Sequence, residues 1–186
     1  MANLIKKVLF HLLRGTLFSA LKRALVLKGG GLYANPIGSD YNSEKAMIYD
    51  AHRENDLYWH AENESVIHFL SALPNIENVL DAPFGTGRFL PLYARRSLNV
   101  VALDISRDMI NQAKAKYPIQ MTSVSILEQD MSVIPLQDNS IDLVVCYRFL
   151  PWIVSFSDAE KSLKELSRVC KQYCILELCV GKHKTG

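Results

Sequence analysis

The run Val79-Leu80-Asp81-Ala82-Pro83-Phe84-Gly85-Thr86-Gly87-Arg88-Phe89-Leu90 joins several features that chemistry can use. A short apolar strand ends in an acid, a glycine turn follows, and the spacing after it predicts a helix. Gly85 and Gly87 leave the backbone bare enough for a ligand to approach, and a helix start offers unpaired N–H groups. Seventeen residues past Gly87 the next predicted strand ends in Asp104, at the carboxyl edge where open sheets bind ligands. An acid at that place accepts two hydrogen bonds from a ribose diol. Asp81, just before the turn, suits a cationic group and would repel a pyrophosphate.

Two other chemistries fail on spacing. A nicotinamide fingerprint needs G-x-G-x-x-G/A, and the third position here is Leu90. A P-loop needs G-x-x-x-x-G-K-[ST], and Gly181-Lys182 lacks both the first glycine and the hydroxyl. Cys146, Cys170, Cys174 and Cys179 form no C-x-x-C pair, and His183 adds no common zinc pattern, so no metal site is expected. Buried thiols in a reduced compartment are the better reading. His52 and His60 are candidate general bases, with exposed histidines on a polar helix as the plainer alternative.

The elements that must position these residues alternate along the chain. Strands are predicted at 78–82, 100–104, 123–128, 141–146 and 173–179, with helices at 62–73, 88–97, 108–116 and 158–171. Ser157 and Glu160 form a capping box for the last helix. Continuous Val, Ile and Leu strands separated by helices point to an α/β, doubly wound, mostly parallel sheet with helices on both faces. The 186 residues, 49% hydrophobic and 22% charged, fit one globular domain, and a net charge of +2 indicates no general nucleic-acid surface.

Charge is unevenly spread. Residues 1–31 carry Lys6, Lys7, Arg14, Lys22, Arg23 and Lys28 and no acid, leaving 15 of the 21 basic residues against all 19 acids in 32–186. Leucine spacing predicts amphipathic helix over residues 4–28, and Gly29-Gly30-Gly31 ends this arm. Three readings stand: an arm lying on an anionic membrane surface, an arm packed on the domain or a partner, or an organellar transit peptide. No secretory signal and no spanning helix are evident, so the location expected is cytoplasmic, at the membrane surface if the arm docks there.

The ordered motifs of residues 45–179 resemble class I S-adenosylmethionine-dependent methyltransferases, especially the small-molecule branch that includes quinone-biosynthesis enzymes. The resemblance implies a Rossmann-like domain over 32–186 and S-adenosylmethionine as cofactor. Asp81, Ala82, Pro83, Gly85 and Gly87 match the segment that holds the cofactor's amino-acid end. Asp104 matches the acid on the ribose, Ile105 the residue packed on adenine, and Asp130-Met131 the segment receiving the adenine amino group. Tyr49 and Arg53 fall where the family's N-terminal lid touches the cofactor's carboxylate. Tyr147, Arg148, Phe149 and Trp152 follow the fourth strand, where substrates bind; a hydrophobic cover for a helix is the alternative. Leu136 to Cys146 and Leu163 to Val169 are similar to the family's fourth-strand stretch and the helix before strand five, and Asp142 reads as structural.

The acceptor implied is small or lipid-linked. No Asn/Asp-Pro-Pro-aromatic tetrapeptide stands at Cys146-Tyr147-Arg148-Phe149, which argues against a nucleic-acid amino-methyltransferase. Pro83 replaces the motif's usual first glycine, so the turn is expected to use proline's preset φ. The family's sheet continues beyond strand five, whereas this sequence stops seven residues after Cys179. A truncated sheet with an open edge is therefore expected, together with a protein partner on that edge, or a non-catalytic scaffold as the second function.

Overall fold

The structure is a computed structural model that describes residues 8–11, 41–53, 55, 57–150 and 156–177; for 8–11, 58 and 156 it describes backbone alone. Six strands form one sheet in the order β1-β6-β5-β2-β3-β4. They are β1 (Val8–His11), β2 (Asn78–Asp81), β3 (Asn99–Asp104), β4 (Ser125–Glu128), β5 (Ile141–Cys146) and β6 (Cys170–Leu176). All pairings are parallel except β1 with β6. The helices are α1 (Ser43–Ile48), α2 (Leu57–Ala72), α3 (Leu90–Ala94), α4 (Arg107–Lys116) and α5 (Phe156–Val169), with a 3-10 turn at Gln120–Ser123.

Strand alternation divides the core in two. Val79, Leu143, Val145 and Ile175 point to the face where Val66 and Leu70 of α2 and Leu90 and Tyr93 of α3 pack. Leu80, Val144, Cys146, Cys174 and Leu176 point to the other face, against Leu163, Leu166 and Val169 of α5. Burial on both faces explains why β5 reads as Ile-Asp-Leu-Val-Val-Cys, with all six residues buried. Cys146, Cys170 and Cys174 are free, buried thiols; burial pushes Cys170 up to about 12 and the other two upward as well.

Several expected boundaries move. Helix α2 begins at Leu57 rather than Glu62, which sets Trp59, Glu62, Val66 and Leu70 on one buried face. Strand β6 begins at Cys170, immediately after α5, three residues before the expected start. Helix α5 starts at Phe156, so Ser157 lies inside its first turn rather than ahead of it, and Glu160 pairs with Lys164 at 3.2 Å.

The largest correction concerns the arm. Val8–His11 is strand, not helix, registered antiparallel on Tyr173–Leu176. The outer edge of β6 presents a row of unpaired N–H and C=O groups, and that template outweighs the helical spacing of a short apolar run. The edge expected to await a partner is thus covered, over four residues, by the chain itself. The rest of residues 1–40 lies outside the described residues.

Candidate active site

The carboxyl ends of β2, β3 and β5 open onto a cavity of about 180 Å³. The turn after β2 is stitched to both neighbouring strands. Ala82 N–H donates to Val145 O at 3.0 Å and Phe84 N–H to Leu103 O at 2.8 Å. Gly85 N–H then donates to Asp104 Oδ2 at 2.7 Å, and Ser106 N–H to Asp104 Oδ1 at 2.8 Å. Gly85 has φ +59° and Gly87 +73°, conformations that side chains resist. The two glycines differ in what surrounds them. A Cβ at Gly85 would meet only Met109, at 3.5 Å, whereas one at Gly87 would lie 3.0 Å from the Phe84 ring and 3.3 Å from Ala113. Gly85 keeps backbone bare at the cavity; Gly87 lets α4 pack on the turn.

Asp81 and Asp104 both line the cavity and both are buried. Asp81 accepts one hydrogen bond among the described residues, from Tyr93 Oη at 3.2 Å. Burial pushes its carboxyl well above the usual range; the Tyr93 hydroxyl and the Arg88 charge only partly oppose this, and Asp104 adds to it. Asp104 is also pushed up by burial, against the backbone N–H bonds of Ser106, Gly85 and Ile105. A carboxylate has about four acceptor sites, so each acid retains lone pairs that a ligand can use.

On the adenine side, Ile105 lines the cavity 46% exposed, an apolar surface ready to be covered. Gln129, Asp130 and Met131 complete that wall. Asp130 Oδ1 accepts from Ser132 N–H at 2.7 Å, closing a local turn, while Oδ2 takes no bond from the described residues. The segment 41–53 covers the opposite side. Its anchors are Asp50, which accepts from Thr86 Oγ1 at 2.7 Å and from Lys116 Nζ at 2.5 Å, and Tyr41 O, which accepts from Ser106 Oγ at 2.9 Å. Tyr49 lines the cavity with Tyr41 and Trp59 against it edge-on.

The structure brings Asp81, Pro83, Gly85, Asp104, Ile105, Asp130, Met131, Tyr49, Tyr147, Arg148 and Phe149 onto one cavity. Ala82 and Gly87 stand behind the wall instead, Ala82 wholly buried in the core. Arg53 is off the cavity as well: its guanidinium stacks 4.4 Å from the Tyr49 ring. His52 and His60 are exposed and neither lines this cavity. Trp152 lies outside the described residues.

Two residues escape sequence reasoning, Arg88 on the cavity wall and the buried Glu62 beside it. Arg88 donates to Glu62 Oε2 at 2.7 Å and lies 3.9 Å from the Trp59 ring. Arg148 Nε donates to the same oxygen at 3.1 Å. Arg88 stands inside the glycine turn, where its place was the only signal. Glu62 and Arg148 are 86 positions apart, and no local pattern links them.

A model of the methyltransferase domain family matches residues 80–176, more than half of the chain. The chain belongs to that family, in the class I, S-adenosylmethionine-dependent branch, whose cofactor is S-adenosylmethionine. Among curated relatives, a demethylmenaquinone methyltransferase of Renibacterium salmoninarum is 33% identical over 120 residues, 64% of this chain and 47% of its own length. A malonyl-[acyl-carrier protein] O-methyltransferase of Pectobacterium atrosepticum is 34% identical over 94 residues, 50% of this chain and 34% of its own. The chain spans about a third to a half of the curated relatives it matches. Among solved structures, magnesium protoporphyrin IX methyltransferase from Synechocystis, with S-adenosylhomocysteine bound, has a TM-score of 0.53 at 22% identity, covering 87% of this chain and 66% of its own. An amino pentose methyltransferase from Micromonospora echinaspora, with S-adenosylmethionine bound, has a TM-score of 0.56 at 21% identity, covering 77% and 55%. These two share its fold.

Proposed function

We propose that this chain binds S-adenosylmethionine in the cavity at the carboxyl edge of the sheet and transfers its methyl group to a small or lipid-linked acceptor. One observation carries the reading: two buried carboxylates, Asp81 and Asp104, share that cavity with spare lone pairs and a bare glycine backbone. Such acids are costly to bury without a partner, and a ligand with an ammonium at one end and a vicinal diol further along would satisfy both. S-adenosylmethionine supplies a methyl group on a positively charged sulfur that leaves as a neutral thioether.

The chain's own residues then have separate tasks. Asp81 receives the cationic amino-acid end, and Arg88, whose charge Asp81 feels, faces the carboxylate of that end in place of Arg53. Asp104 accepts from the diol while its backbone bonds fix its rotamer. Ile105 and Met131 cover the adenine, and Asp130 Oδ2 accepts from the exocyclic amine. Tyr49 and Trp59 exclude water from the far side. Holding acceptor and donor in line is the main catalytic contribution such a site makes.

The two relatives' names supply the first acceptors to try, a demethylmenaquinone and a malonyl thioester. The test is transfer of label from methyl-labelled S-adenosylmethionine into each of them by the purified protein. Label in either product is the expected result. Retained cofactor binding with no transfer to any acceptor of these classes would contradict the acceptor assignment.

A further inference from the structure

On the methyl-transfer reading above, we infer that Tyr93 is a positioning residue for the cofactor, whose hydroxyl holds Asp81 as an oriented carboxylate for the ligand's ammonium. The Tyr93 side chain is wholly buried in the core between α3 and the sheet, behind the cavity rather than on its wall. Phenylalanine would fill the same apolar space, so packing alone does not call for the oxygen. A buried phenol needs a partner, and among the described residues its one hydrogen bond runs to Asp81 Oδ2, at 3.2 Å. Oδ1 accepts nothing from the described residues, so the tether on Oδ2 leaves that oxygen to a ligand in the cavity Asp81 lines. The backbone sets the depth of the ring. Tyr93 N–H donates to Phe89 O at 3.2 Å, and its carbonyl accepts from Arg96 N–H at 3.0 Å and Leu98 N–H at 3.2 Å.

The kind of donor matters as much as its place. Burial pushes the Tyr93 hydroxyl well above the usual phenol range and the Asp81 charge adds to this, so the phenol keeps its proton. Arg88 is the cation that Asp81 feels, yet its hydrogen bond goes to Glu62 Oε2, at 2.7 Å. A guanidinium bonded to Asp81 would neutralise the acid before any ligand arrived. A hydroxyl fixes the rotamer and leaves the negative charge in place. The other ionisable groups that bear on the pair are Asp104 of β3, which Asp81 feels, Cys146 of β5, which feels Asp81, and Tyr147, which Tyr93 feels. Burial favours the protonated acid, and the Tyr93 bond opposes it. Loss of the hydroxyl therefore frees the Asp81 rotamer and raises the pH at which Asp81 ionises.

Calorimetric titration of Tyr93→Phe with S-adenosylhomocysteine and with methylthioadenosine, which keeps the nucleoside and the thioether but has no ammonium, tests this. The variant should lose about three- to tenfold in affinity for the first, the worth of one hydrogen bond, and stay within about twofold of the parent for the second. Its fall in S-adenosylhomocysteine affinity on acidification should begin at a higher pH than the parent's. Added to Asp81→Asn, Tyr93→Phe should cost no more than about twofold further, because the hydroxyl acts through the acid. Should Tyr93→Phe fail to fold, the parent isotope-labelled at tyrosine Cζ decides: the Tyr93 resonance should shift with S-adenosylhomocysteine and stay put with methylthioadenosine. Unchanged S-adenosylhomocysteine affinity, equal losses for the two ligands, an unmoved pH profile, additive losses in the double variant, or a Tyr93 resonance that treats the two ligands alike would overturn the inference alone. Failure of the parent to bind S-adenosylhomocysteine would overturn the reading beneath it, and the inference with it.

Discussion

Asp81 and Asp142 sit at opposite ends of the same pair of strands, and their surroundings could hardly differ more. Asp142, at the start of β5, accepts from the backbone N–H of Asn78 at 2.9 Å and of Glu77 at 3.1 Å. Asn78 Nδ2, Lys171 Nζ and Gln172 Nε2 add three more bonds, at 3.3, 3.2 and 3.1 Å. Burial alone would push its carboxyl up, but these donors hold it below the ordinary range. Asp81, at the end of β2, has the Tyr93 hydroxyl and no other hydrogen-bond donor among the described residues, and burial keeps it high. A saturated acid ties β2, β5 and β6 together. An undersupplied acid costs stability that only a bound cation returns.

The arginines repeat the contrast. Arg168 is spent on structure, donating to Glu165, Asp138 and the carbonyls of Leu136 and Ile134. Among the described residues Arg88 gives one hydrogen bond, to Glu62, and otherwise lies against aromatic rings at the cavity.

The glycine turn should give the largest effect when broken. Gly87→Val forces a branched residue into φ +73° and drives its Cβ against Phe84 and Ala113. Strain of about 1–3 kcal/mol and overpacking of similar size should lower the urea midpoint sharply. Gly85→Val meets no such wall, so it should lose S-adenosylhomocysteine binding out of proportion to its loss of stability. Equal stability losses in the two variants would erase the distinction between a packing glycine and a ligand glycine.

Next come the acids. Asp142→Ala leaves buried N–H groups unpaired and should cost about 2–4 kcal/mol of stability, with ligand affinity unchanged once folded. Asp104→Asn should cost about 1.5–3 kcal/mol of S-adenosylhomocysteine binding, the worth of a charge-assisted hydrogen bond. Calorimetry on both proteins separates the two losses.

The pH dependences of the two ends carry opposite signs. Asp142 is lowered on folding, so its contribution is present above the unfolded carboxylate value, about 3.9, and is lost as pH falls through the lower folded value. Asp81 is raised, so its contribution is present below about 3.9 and is lost as pH rises through the folded value. Asp81→Asn should therefore match the parent in acid and be the more stable protein at neutral pH. Asp142→Asn should be the less stable at neutral pH and converge with the parent in acid. Urea titrations across pH check both curves; parallel curves for the two variants would break the comparison.

The smallest effect expected is at the edge. A chain starting at Leu32 loses β1 and uncovers β6, so it should melt a few degrees lower and self-associate. A shortened chain with unchanged melting that loses binding to anionic vesicles would favour the membrane-surface role of the arm instead.

Much of this was legible in the sequence because each strand is short, apolar and closed by a turn. The acids at 81 and 104 could be placed at strand ends by counting alone, and Asp142 at a strand start. What could not be read depends on distant parts of the chain. Val8–His11 takes its conformation from the β6 edge, which no local spacing encodes. Glu62 reads as a polar helix start, yet it is buried because Arg88 and Arg148 converge on it from two other segments. Arg53 is the arginine that the sequence offers there, and only the fold shows that Arg88 lines the cavity instead.

Isothermal titration of the purified protein with S-adenosylhomocysteine and with NAD, each repeated on Asp81→Asn with S-adenosylmethionine added as a third ligand, bears most directly on the undersupplied acids. The parent should bind both sulfur nucleosides at one site per chain and ignore NAD. Asp81→Asn should weaken S-adenosylmethionine by about tenfold or more, as loss of a charge-assisted contact implies, and flatten the fall in affinity seen as pH is lowered. Binding of NAD in their place, or full affinity in Asp81→Asn, would contradict the account.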